Sequence, residues 1–164
     1  MSYLTGINVN DFTLVPEFGL GTLGILLTPQ GAKQYKYVQL RNETAAVPTT
    51  GTALLGWPVA YLNTPANDTE LNTVVSDYTD AELIPVCCGT AHWSCPGAIN
   101  TSYFGWVQVR GFDTLALAFA TFSGNLRIQL TTTDGVADDV ALMSTPTFGI
   151  GVSSASKTMR LNCD

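Results

Sequence analysis

From Gly19 to the C-terminus, apolar and polar residues alternate in short runs separated by turn-forming residues. Such runs, rich in β-branched and aromatic residues, predict strands. They fall at Gly21–Leu27, Gln34–Arg41, Ala53–Leu62, Leu71–Tyr78, Glu82–Cys88, Tyr103–Arg110, Thr114–Phe122, Asn125–Thr132, Val140–Ser144, Phe148–Ser153 and Lys157–Asn162. In Tyr103–Arg110, residues Phe104, Trp106, Gln108 and Arg110 share one face, with Tyr103, Val107 and Val109 on the other. In Asn125–Thr132, Leu126, Ile128 and Leu130 point inward and Arg127, Gln129 and Thr131 outward. A period of two predicts sheets with one solvated face. Turns are expected at Thr28-Pro29-Gln30-Gly31, Ser123-Gly124, Thr133-Asp134-Gly135 and Arg110-Gly111-Phe112-Asp113. A long helical period is absent from the pattern, and only a short helix around Asp77–Leu83 is expected. The pattern therefore predicts an all-β protein, a single β-barrel or sandwich, jelly-roll-like or tulip-like.

Residues 1–18 follow a different pattern. Isolated apolar residues are mixed with Gly, Asn and Pro, without either period. We read this stretch as an extended N-terminal arm preceding an all-β domain over 19–164. Tyr3, Leu4, Ile7, Val9, Phe12, Leu14 and Phe18 need a surface to lie on, since disordered tails carry fewer large apolar residues. That surface is either this domain or a neighbour.

Composition narrows the partners. Charged residues make up 12% of the chain, where an average protein has roughly 25%. So few charges suit a protein that buries much of its surface against neighbours. The net charge is −6, and no patch of basic residues interleaved with aromatics is present, which argues against nucleic-acid binding. No run reaches the ~20 apolar residues of a membrane helix, so no membrane partner is expected. The N-terminus lacks the pattern of a signal peptide, so the chain is expected to be cytosolic or a mature form.

One cluster has the residue types of a chemical site. Cys87, Cys88, His92 and Cys95 lie within nine residues. A zinc site needs four ligands converging tetrahedrally, and adjacent residues of a strand point to opposite faces. Cys87 and Cys88 therefore do not fit one ion, and no metal is expected. The same cluster lacks a partner that would orient a catalytic base. Buried thiols acting as small apolar side chains are the expected reading, with a disulfide from Cys163 to one of the other cysteines as a further option. The acidic clusters Asp68, Glu70, Asp77, Asp80, Glu82 and Asp134, Asp138, Asp139 do not match a calcium loop and read as solvated loops. Gly19-Leu20-Gly21-Thr22-Leu23-Gly24 lacks the following helix that a phosphate loop requires. No cofactor and no catalytic residue are expected.

Two motifs carry a resemblance. Phe18-Gly19-Leu20-Gly21-Thr22, followed by Gly31-Ala32-Lys33-Gln34-Tyr35-Lys36-Tyr37-Val38-Gln39, resembles the start of the capsid decoration (cement) proteins of tailed bacteriophages. Tyr103-Phe104-Gly105-Trp106-Val107-Gln108-Val109-Arg110-Gly111 is similar to a strand of the same group. These motifs span about a fifth of the chain, and the 63–95 insert and its cysteines depart from the group. The resemblance implies a non-enzymatic structural protein of the virion. It would be made in the host bacterial cytoplasm and bound to the outer capsid surface. Its partners would be the major capsid protein and itself, as a homotrimer or a dimer. It would cement neighbouring capsid subunits against internal DNA pressure, with the arm and the Tyr103–Val109 strand as contact elements. The alternatives are another virion component, such as a head-fibre base or tail protein, or a carbohydrate-binding or carbohydrate-acting β domain in which Trp57, Trp93 and Trp106 stack on sugars.

Overall fold

The computed structural model describes residues 4–41, 52–53, 56–61, 72–75, 87–95, 102–114, 127–130, 137–140, 147–153 and 158–163. Among them every regular element is a strand. These are β1 (Leu4–Thr5), β2 (Phe12–Thr13), β3 (Leu23–Thr28), β4 (Gly31–Arg41), β5 (Thr52–Ala53), β6 (Trp57–Tyr61) and β7 (Thr73–Val75). They continue with β8 (Cys87–Ala91), β9 (Ser94–Cys95), β10 (Ser102–Thr114), β11 (Arg127–Leu130), β12 (Ala137–Val140), β13 (Thr147–Ser153) and β14 (Thr158–Asn162). The protein is all-β, and its main sheet closes partly into a ring.

The ring runs β4-β7-β6-β8-β10 and returns to β4. It closes because the two longest strands, β4 and β10, pair antiparallel from Ser102↔Arg41 to Arg110↔Gln34. On its other edge β4 holds β3 along its first half and β7 along its second. All five ring strands feed one interior cluster: Val38, Leu40, Val59, Val74, Cys88, Ala91, Val107 and Val109, with Trp93 and Tyr103. The alternation of β4 decides this, since Val38 and Leu40 point in while Tyr35 and Tyr37 point out.

Beyond the ring, the second half of β10 joins β14, β13, β11 and β12 in an outer sheet. Here one face is closed and one open. Met159, Leu161 and Ile128 are buried, whereas Arg160, Asn162 and Ile150 are exposed.

Several expected boundaries are corrected. Arg110-Gly111-Phe112-Asp113 is not a turn between two strands; β10 runs through it to Thr114. Gly111 has a φ of 103°, open to glycine without strain, and a Cβ there would stand 2.9 Å from the Ala32 carbonyl oxygen. The chain thus bends at Gly111 without ending, and the register with β4 shifts between Gln108 and Arg110. β8 covers Cys87–Ala91, overlapping the strand expected at Glu82–Cys88 only at Cys87 and Cys88; residues 82–86 lie outside the described residues, and the small residues after Cys88 continue the ring strand. Their small size suits them to it, because a Cβ on Gly89 would press within 2.5 Å of the Gln108 carbonyl oxygen. Ala53–Leu62 is split at Gly56 into β5 and β6. Asp138 and Asp139 lie in β12 and not in a loop, while residues 141–144 of the strand expected at Val140–Ser144 lie outside the described residues. The Thr28–Gly31 turn is present, closing the β3–β4 hairpin with Thr28 paired to Gly31. The 115–122 strand, the Ser123-Gly124 and Thr133–Gly135 turns, the Asp77–Leu83 helix and the acidic cluster of residues 68–82 lie outside the described residues.

The expectation of one solvated face also needs correcting for Tyr103–Arg110. Both faces are closed: Tyr103, Val107 and Val109 face the ring interior, while Phe104 and Trp106 pack with Tyr35 and Tyr37 under residues 7–20. Gly24 makes this seat possible. A Cβ at Gly24 would come within 2.5 Å of Ile7 and 3.1 Å of the Trp106 ring.

Candidate interaction surfaces

The N-terminal segment folds back on its own domain. Leu4 and Thr5 pair in parallel with Gly24 and Ile25, and Phe12 and Thr13 pair with Gly105 and Phe104. Val9 is buried. Ile7, Phe18 and Leu20 pack on the Tyr35–Tyr37–Trp106 cluster. The Phe18 ring lies 5.2 Å from Tyr37 and 5.3 Å from Trp106, centre to centre. Phe12 reaches the interior cluster instead, edge-on to Tyr103 at 5.3 Å and stacked on Trp93 at 6.2 Å. Tyr3 lies outside the described residues, as does the side chain of Leu4.

Leu14 stands apart from this set. The chain turns at residues 13–17, where Thr13 Oγ1 donates 2.7 Å to the Val15 carbonyl and the Glu17 amide donates 3.1 Å to the Tyr37 hydroxyl. The turn is thus tied down at its base. Its two large apolar side chains point outward, Leu14 62% and Val15 71% exposed. Asp11, Pro16 and Glu17 beside them are also exposed. Behind the turn, a cleft of about 330 Å³ runs between the segment and the ring, lined by Ile7, Asp11, Thr13, Glu17, Tyr37 and Trp106 among others.

The motif strand is central and covered. Tyr103, Gly105, Trp106, Val107, Gln108 and Val109 are buried and Phe104 is half-buried. Gly105 gives Trp93 its place, because a Cβ would meet the indole at 2.9 Å. The Trp93 indole donates 3.2 Å to the Trp106 carbonyl. These residues build the domain and are not a surface. Burial of Trp93 and Trp106 also removes two of the three rings a sugar would stack on.

Exposed apolar side chains sit elsewhere, at positions the alternation alone did not single out. Leu27 is 80% exposed at the β3–β4 hairpin. Phe112, Ile150 and Val152 are exposed on the open face of the outer sheet. Register aligns them: Phe112 is opposite Arg160, and Arg160 is opposite Ile150. The only signal in the sequence was an outward-facing apolar residue inside an alternating strand, which becomes visible once Gly111 is known to bend the strand without ending it.

The cysteine–histidine segment is pulled apart. Cys88 is buried in the ring, and burial pushes its thiol from 9.0 up to about 12, against smaller opposing effects of a Tyr61 hydrogen bond and the Lys36 charge. It stays a neutral thiol near pH 7 and is a poor nucleophile. Cys88 and Cys163 are not disulfide-bonded. The side chains of Cys87 and Cys95 lie outside the described residues. His92 turns to a carboxylate: its Nε2 is 2.9 Å from Asp113 Oδ2. Thr90 Oγ1 donates to the same oxygen, and the Thr114 amide donates 2.8 Å to Oδ1. Asp113 thus accepts from three groups in the β8–β10 junction. Sequence reasoning missed this node because Asp113 and His92 are 21 residues apart. Nearby, Tyr35 is lifted from 10.0 to about 12, first by burial and then by the Asp113 charge. Among the described residues no three His, Cys, Asp or Glu side chains gather as a metal site. Among the described residues no hydroxyl or thiol is presented to the His92 imidazole in the manner of a nucleophilic pair; Thr90 faces the carboxylate instead.

No family model matches the chain, and neither a curated protein nor a solved structure matches it.

Proposed function

We propose that this chain is a structural, non-enzymatic virion protein that binds the outer face of a tailed-phage capsid and ties neighbouring capsid subunits together. The observation that carries the reading is the distribution of apolar surface. Six large apolar side chains, Leu14, Val15, Leu27, Phe112, Ile150 and Val152, are exposed on elements held by hydrogen-bonded pairing or by a tied turn. Single exposed apolar residues are ordinary, but pairs and rows on rigid elements are what contact surfaces need. Preformed contacts lose little ordering entropy on binding, and repetition over a symmetric shell multiplies a modest affinity. The sequence motifs support the same reading, as Gly31–Gln39 and Tyr103–Gly111 lie in β4 and β10, the central strands that hold these elements in place. The polar cluster at Asp113 supports a stabilising role better than a catalytic one, since its oxygens are already occupied by Thr90, His92 and the Thr114 amide.

Mixing the purified chain with expanded shells lacking any decoration protein tests the reading. It predicts saturable co-sedimentation at a fixed number of copies per shell, and shells that disrupt at a higher temperature when loaded. Absence of co-sedimentation, or binding with no gain in shell stability, would contradict it.

A further inference from the structure

The Leu14–Val15 turn and the open face of the outer sheet are complementary, and they cannot meet within one molecule. We infer that they meet between copies: the turn of one chain docks on the Phe112–Ile150–Val152 face of the next, in a head-to-tail contact.

The turn is an apolar knob with an acidic collar. Leu14 and Val15 are exposed at its tip, and Asp11 and Glu17 are exposed on either side. The face has the opposite character. Phe112, Arg160 and Ile150 form one row across β10, β14 and β13, with apolar groups flanking an exposed guanidinium. Beside Phe112 a groove of about 350 Å³ is lined by Gln30, Lys33, Asp113, Thr114 and Thr158. A chain of net charge −6 with seven cations thus has Lys33, Arg110 and Arg160 on or next to this sheet. An acidic collar around an apolar tip is the matching partner, since opposite charges at the rim steer and orient an apolar core contact.

Geometry rules out an internal contact. The segment carrying the knob pairs with β10 at Phe104 and Gly105, whereas the face begins at Phe112 on the same strand. Seven residues of strand separate them, roughly 20 Å at ~3.3 Å per residue. Two different patches at opposite ends of one strand make a heterologous interface, which closes into a ring or extends. This inference goes beyond the shell reading and does not need it.

Sedimentation velocity over a concentration series tests it. The wild-type chain should associate as concentration rises. L14S/V15S, which blunts the knob, and F112S/I150S, which blunts the face, should each weaken association at least tenfold. Both sets are exposed, so far-ultraviolet dichroism and the urea midpoint should stay near wild type. L27S, on neither patch, should associate normally. The decisive step is to mix the two defective variants. Each retains the patch the other lacks, so they should form a 1:1 complex that grows no further. Arg160→Glu should weaken association several-fold and Glu17→Arg in the partner should restore part of it. A wild-type chain that stays monomeric, blunted variants that associate normally, or a mixture that forms no complex would each overturn the inference. Shell co-sedimentation of the same variants keeps the two readings separate. Variants that still bind shells but fail to complement would sink this contact and leave the decoration reading standing.

Discussion

The two halves of β10 have the same alternating sequence pattern and different surroundings. From Ser102 to Val109 the strand lies in a ring, with an interior of aliphatic and aromatic side chains on one side and the folded-back N-terminal segment on the other. From Gly111 to Thr114 it lies in the outer sheet, where Asp113 is buried and Phe112 is 38% exposed. The difference does not come from the strand itself. It comes from what covers the second face: residues 7–20 cover one half, and among the described elements nothing pairs over the other. Alternation therefore sets which residues share a face, while the cover sets which faces are wet. The first half of the strand builds the domain, and the second half carries surface.

Removing the cover is the harshest way to break this contrast. Deleting residues 1–18 strips Ile7, Val9, Phe12 and Phe18 from the two aromatic clusters. Each such side chain contributes about 1.5–3 kcal/mol on burial, and their sum approaches the 5–15 kcal/mol of a whole domain. The truncated chain should lose cooperative unfolding in urea; a truncated chain with the wild-type midpoint would show that the segment is not structural.

A single substitution in each half makes the comparison quantitative. Trp106 is 3% exposed and touches Phe18 and Tyr37, so Trp106→Ala should cost about 3–5 kcal/mol. Phe112→Ala, on the open face of the same strand, should cost less than about 1 kcal/mol by the same urea titration. Near-equal costs would mean that the open face is covered after all.

The junction between the halves is polar, and its loss should rank next. Asp113→Ala leaves the buried Thr90 hydroxyl and the half-buried Thr114 amide without their acceptor, a cost of about 1–3 kcal/mol. Asp113→Asn keeps an acceptor and should recover part of it. A cost below about 0.5 kcal/mol for the alanine variant would deny the node a structural role.

The smallest effect concerns alkaline pH. Tyr35 is raised from 10.0 to about 12 in the folded protein. Its protonated form is favoured by folding, so its contribution is complete below pH 10.0 and is lost as pH rises from there to about 12. Cys88 acts in the same direction, from 9.0 to about 12. Stability should hold through neutrality and fall above pH 9. Tyr35→Phe should shrink that fall by about 1–2 kcal/mol in urea titrations at stepped pH, leaving the Cys88 part. An unchanged fall in the variant would remove Tyr35 from the explanation.

Much of the fold was legible because the period of two is a local signal. The β3–β4 hairpin, the faces of β4 and β10, and β13 and β14 could be read from alternation and turn residues. The bend at Gly111 was not, because a turn and a bulge share the same residues and differ only in whether pairing continues. The ring strand at Cys87–Ala91 was hidden by its composition, since Gly89 fits where the Gln108 carbonyl leaves no room for a side chain. The arm was legible as a segment needing a surface. Which surface was not, because Gly24, the seat of Ile7 and Trp106, is apparent only in three dimensions. The exposed Val15, Leu27, Phe112, Ile150 and Val152 were missed for a related reason: sequence shows that a residue is apolar, and not whether anything lies over it.

A cryo-electron microscopy map of shells saturated with this chain tests the proposed role most directly. Density for an all-β domain should appear on the outer surface at regular positions bridging adjacent capsid subunits, with exposed apolar elements such as the Leu27 hairpin at the contacts. Saturated shells that carry no ordered outer density, or density that touches only one subunit at each position, would contradict it.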